Sequence, residues 1–167
     1  MVNDCNTGSN SQGKPKKARL SNRRTGRLLA FQVLFGQSFA PSHDVAALER
    51  DFEKNPAVLE LENETVREFA HLLVQGVYCR SKELDGIITD HSKHWKLSRI
   101  AKVELTILRL ALFEMLYTEL PLKVAINEGI ELSKQFGDEN SRNFINGILD
   151  AAARAVDSGV LGVDKKF

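Results

Sequence analysis

The chain has 167 residues, 43% of them hydrophobic and 27% charged, with a formal net charge of +1. That is enough chain to bury roughly 70% of its unfolded surface in a single domain of ordinary globular composition. No run approaches the roughly 18 apolar residues of a membrane span, and the N-terminus lacks the apolar core of a secretory signal. Cys5 and Cys79 form no metal or redox spacing, so a reducing cytoplasm is the expected compartment.

The small net charge hides a local one. Lys14, Lys16, Lys17, Arg19, Arg23, Arg24 and Arg27 place seven positive charges in fourteen residues without an acid. From Leu28 onward there are 16 basic and 21 acidic residues. A basic arm on an otherwise acidic chain suits a polyanion. Residues 1–19 hold almost nothing apolar and are expected to be a disordered basic extension.

Ser21 or Asn22 is read as the cap of a first helix to about Ser38, with Leu28, Phe31, Phe35 and Phe39 along one side. At about 100° per residue, Arg23, Arg24 and Arg27 share one sector of it. Three guanidiniums projected together fit a phosphate backbone and can stack on bases. The plain alternative is a solvated polar face. Gly26 is expected to loosen that turn.

A short helix at 44–53, a turn at Asn55 and Pro56, a helix at 64–80 and another at 82–91 read as scaffold. His91 and His94 lie three apart beside Asp90 and Trp95, but no third ligand or general-base motif accompanies them, so no metal site is expected. Ser98 is read as the cap of a helix to about Thr118 that is apolar on nearly every side, hence the centre of the fold. Its charged members Arg109 and Glu114 then need partners on other helices, with Glu128 a candidate for Arg109. Glu104, near its start, is expected to be exposed.

Leu122, Ile126 and Ile130 mark the next helix, and Ala125, Gly129 and Ser133 form a small stripe that lets another backbone approach. Gly137 is read as a left-handed stop and Asp138 as the cap of a last helix to about Val156. Asn127 and Asn146 are read as buried amides bonded between helices. Phe136 and Phe144 flank the corner, with Asn140 and Arg142 between them. Residues 159–167 are expected to be a flexible tail.

Seven helical stretches and no convincing strand make the class all-α, with residues 20–158 as the folded part. No glycine-rich phosphate loop, nucleophile–base arrangement or telling acid pair is present, so no enzyme activity and no cofactor are expected.

Several blocks, RRTGR ahead of AFQVLF, then LRLALFEML, then VAINEGIELSKQFG followed by NFINGILD, resemble the NusB family of bacterial transcription antitermination factors over about Leu20 to Val156. The resemblance implies two small perpendicular helical bundles that bind the single-stranded boxA RNA element together with the ribosomal protein NusE. It implies a role in loading an antitermination complex on RNA polymerase, notably in ribosomal RNA operons, and a homodimer as a possible free state. It places RNA contacts at Arg23, Arg24, Arg27, Gln32 and Phe35 of the first helix and at Phe136, Asn140 and Phe144 of the corner. Glu104 falls where the family meets NusE. Asn140 stands where an acid is common in that family. Two other readings compete: a helical adaptor that binds only proteins, and the NusB-like part of a ribosomal RNA cytosine methyltransferase. The latter needs an α/β cofactor domain, for which the sequence offers no strand pattern.

Overall fold

The computed structural model describes residues 16–93 and 95–165, with side chains from Ser21 onward. The first fifteen residues of the extension and His94 lie outside them. All regular structure in the described residues is helical: α1 Lys16–Gln37, α2 Val45–Glu53, α3 Pro56–Leu59, α4 Glu64–Cys79, α5 Ser81–His91, α6 Lys102–Tyr117, α7 Leu122–Phe136 and α8 Glu139–Asp157. None of these helices is long and apolar enough to cross a membrane.

α6 is the hub. Ile107, Leu108, Leu110, Leu112 and Met115 are all fully buried, because α1, α4, α5, α7 and α8 pack around it. At about 1.5–3 kcal/mol for each buried aliphatic side chain, this helix is the largest single source of hydrophobic stabilisation. α1 and α4 pack on one flank, and α7 and α8 pack with α6 on the other. Gly129 explains the close approach there: a Cβ on it would lie 2.8 Å from Leu149 Cδ1 and 3.2 Å from Ala111 Cβ. The small stripe of α7 therefore does what its spacing predicts.

Local side chains set the helix starts. Asp44, Asn55, Asn63 and Asp138 each accept a backbone N–H of the helix that follows. Asn55 with Pro56 behind it opens α3, one short helix where a turn was expected.

Several boundaries differ from expectation. α1 begins at Lys16, so Ser21 and Asn22 lie inside it and Lys16–Arg19 is helical, not disordered. Lysine, arginine and alanine at 16–19 are good helix formers that simply continue the pattern backward. Gly26 does not loosen the helix. It is buried where α1 crosses α4, and a Cβ there would meet Phe69 Cδ1 at 2.7 Å. α6 starts at Lys102 after a single 3-10 turn at Leu97–Arg99 that contains Ser98. Gly137 is extended, at φ −117° and ψ −177°, and not left-handed. What demands glycine there is space, since a Cβ would sit 2.9 Å from Ser141 Cβ.

The tail is docked as far as it is described. Gly159 and Gly162, at φ 78° and 68°, turn the chain back after α8. Leu161 and Val163 then pack against the core. Lys165 Nζ donates to the carbonyls of Met115 at 2.9 Å and Leu120 at 3.0 Å, and also to that of Thr118. It thus covers the unsatisfied carbonyl end of α6 with a positive charge. Burial lowers its pKa, against the pull of Glu119 and Glu114.

Candidate nucleic-acid interface

The N-terminal half of α1 carries the three arginines, and the structure divides them. Arg23 is exposed and its guanidinium lies 4.3 Å above the Phe69 ring centroid. Arg24 is 65% exposed, with Nε 3.3 Å from Glu128 Oε1. Arg27 is different. Its side chain is 4% exposed, its Nε and Nη2 fork onto Glu114 at 2.6 and 2.7 Å, and its Nη1 donates to Glu128 Oε2 at 2.7 Å. Burial acts against its charge, but the bonds and charges of Glu114 and Glu128 outweigh it and raise its pKa.

The expectation that all three guanidiniums project together therefore fails at Arg27, which faces the core. Arg23 and Arg24 stay exposed at the surface, Arg24 while paired with Glu128, and are placed to meet an anion. The acids responsible also overturn the Arg109–Glu128 pairing: Arg109 instead forks onto Asp85 of α5, at 2.7 and 2.8 Å. Glu128 belongs to the α1 arginines.

Further along α1, Gln32 is exposed and Phe35 half-buried. Phe35 stacks on Phe31 at 5.8 Å and meets Phe39 edge-on at 5.1 Å. Phe31 in turn stacks on Phe136 of α7 at 4.4 Å, with 26° between the planes. A row of rings thus joins α1 to the α7–α8 corner. The exposed Phe39 ends the row, with Lys102 Nζ 4.4 Å from its ring centroid.

At the corner, Asp138 accepts the Ser141 N–H at 2.8 Å, and Asn140 is exposed in the first turn of α8. Phe144 is half-buried and meets the exposed Trp95 edge-on at 6.3 Å. Glu104 is half-buried, not exposed, because its Oε1 accepts the Ser141 hydroxyl at 2.7 Å. It is tied to the same corner. Asn127 and Asn146 are exposed on the polar faces of α7 and α8 and are not the buried amides expected. Of His91 and His94, only the first is described, with Nδ1 2.8 Å from the Ile87 carbonyl oxygen.

The structure thus groups Phe35 and, through Phe31, Phe136 at the corner, and sets Arg23 and Arg24 about two turns earlier on the same helix. Trp95, Lys102 and Phe69 are additions. Trp95 and Lys102 gave no local signal because loops and helix starts far from α1 bring them in.

The NusB family model matches residues 24–154. The chain belongs to the NusB family. A relative from Oleidesulfovibrio alaskensis, transcription antitermination protein NusB, is 53% identical over 87% of this chain and 96% of its own. Among solved structures, T. maritima NusB superposes with a TM-score of 0.67 at 33% identity, over 79% of this chain and 90% of that one. A structure of antitermination factors NusB and NusE in complex with dsRNA gives 0.68 at 25% identity, over 81% of this chain and 98% of that chain. The NusB family and the helical architecture agree with the fold the sequence blocks imply.

Proposed function

We propose that this NusB-family protein is a transcription antitermination factor that binds single-stranded boxA-type RNA together with NusE. In that role it helps assemble the antitermination complex on RNA polymerase in the cytoplasm, notably on ribosomal RNA operons. The observation that carries the reading is one helix, α1, that bears two exposed arginines and, about two turns further on, is joined by ring stacking to the α7–α8 corner. Cations for phosphates beside half-buried rings and an exposed amide are the parts single-strand recognition uses. Arg23, Arg24, Gln32, Phe35, Phe136, Asn140 and Phe144 are the proposed contact residues. Arg27 acts by holding α1 in place. Glu104 is the proposed meeting place with NusE, and a homodimer that covers the RNA face is the proposed state of the free protein.

The test is binding of a short labelled boxA-like RNA against a scrambled one, with and without NusE, across a salt series. The expected result is sequence-dependent binding strengthened by NusE. Equal, salt-sensitive binding to both RNAs reduces the basic arm to a general polyanion tether, and binding to NusE alone favours a protein-only adaptor.

A further inference from the structure

Two concavities meet at Arg24. One, of about 240 Å³, lies between α1 and α7 past Leu28, Leu132 and Gln135. The other, of about 490 Å³, lies between α1, α4 and the α6–α7 connection. Arg24 lines both. The larger one is within the roughly 300–1,000 Å³ of ordinary ligand clefts.

Its chemistry is mixed in a specific way. Leu72 and Val124, brought together from α4 and α7, are 49% and 37% exposed and form aliphatic floor. Beside them Arg23 lies on Phe69, a guanidinium plane backed by a ring. Of the acids in the lining, Glu114 and Glu128 are engaged by Arg27 and Arg24, so they do not repel an incoming anion at full strength. Glu119, in the α6–α7 connection, is an exposed acid of the lining with no arginine paired to it among the described residues, and it disfavours a phosphate at its own position. Charge therefore favours a phosphate at the Arg24 end and an uncharged, flat group over the floor.

We propose that this second groove takes one unpaired nucleotide of the same RNA strand, its phosphate at Arg24 and its base against the Arg23–Phe69 stack and the Leu72–Val124 floor. The proposal rests on the RNA-binding reading above and extends its footprint past Arg24. Stacking on a guanidinium plane tolerates any base, so the added contact lengthens the bound strand without specifying its sequence.

The experiment compares, in the presence of NusE, a minimal boxA RNA with the same RNA extended by three nucleotides at either end. Each extension is made with ordinary nucleotides and with abasic sugar-phosphate. The proteins are the full chain and a Leu72→Ser/Val124→Ser variant, whose folding is checked by thermal melting. The expected result is that one extension, and only with bases present, tightens binding about fivefold or more, the range of base stacking. The variant loses that gain and binds the minimal RNA within about twofold of wild type. No gain from either extension while the minimal RNA binds normally would overturn the proposal. So would an equal gain from the abasic strand, a measurement that needs no variant, or a gain that survives the substitutions. If the minimal RNA does not bind the wild-type protein, the RNA-binding reading itself falls and takes this extension with it.

Discussion

Arg27 and Glu114 form a forked ion pair with both side chains almost out of water, at 2.6 and 2.7 Å and with 4% and 2% exposure. They lie 87 residues apart, so the pair fastens α1 to the central helix. Removing one partner leaves the other charged and buried, which typically costs about 3–5 kcal/mol. Arg27→Ala is therefore expected to lower the urea midpoint sharply. Arg27→Met/Glu114→Leu, which removes both charges, should recover much of that loss. Equal stability of Arg27→Ala and wild type would show that the pair contributes nothing to the fold.

Sequence spacing made Arg23, Arg24 and Arg27 look alike because a helix wheel reports direction, and a sector of about 100° spans the edge between buried and exposed faces. What separates them is Glu114 and Glu128, acids on α6 and α7 whose register against α1 is fixed only by packing. The same gap explains Arg109: its need for a partner on another helix was legible, but the choice of Asp85 over Glu128 depends on how α5 sits. The all-apolar α6, the small stripe at Gly129 and the caps at Asp138 were legible because they follow from local periodicity and local hydrogen bonding. Asn127 and Asn146 were misread because an amide between apolar residues on a line can still lie on the polar face of the helix.

Gly26 sets helix propensity against packing. Alanine would favour the helix by about 1 kcal/mol. Its Cβ, however, would lie 2.7 Å from Phe69 Cδ1 and 3.1 Å from the Val66 carbonyl, and such overpacking typically costs about 1–3 kcal/mol. Gly26→Ala should lower the melting temperature. It should also shift the ring on which Arg23 rests. A higher melting temperature would mean that α1 and α4 part easily.

Asn140 lies exposed in the first turn of α8, where an acid would favour the helix dipole by about 0.3–1 kcal/mol but repel phosphate. Asn140→Asp should thus hold or raise stability while weakening RNA binding. Unchanged or tighter RNA binding by this variant would remove the corner from the contact surface.

Acid sensitivity follows from the caps. The Ser141 N–H holds the Asp138 pKa below the ordinary value, and the Ala47 N–H does the same for Asp44. A carboxylate with a depressed folded pKa contributes stability above its unfolded pKa, and that contribution is lost as pH falls through the folded value. The urea midpoint should consequently fall below about pH 4, in the range where free aspartates titrate. Asp44→Asn/Asp138→Asn, which keeps a capping oxygen but cannot ionise, should flatten that fall. An identical acid profile would assign the loss to other carboxylates.

On the proposed function, the exposed arginines of α1 hold RNA while the buried Arg27 seats the helix. The most direct measurement is the salt dependence of boxA RNA binding by Arg23→Ala/Arg24→Ala beside wild type, with urea melts on both. Two lost phosphate contacts should weaken binding and reduce the slope of log K against log salt by about 1.4. Stability should change by less than about 1 kcal/mol, as surface ion pairs allow. An unchanged affinity and slope in a folded double variant would show that these two arginines do not hold the RNA.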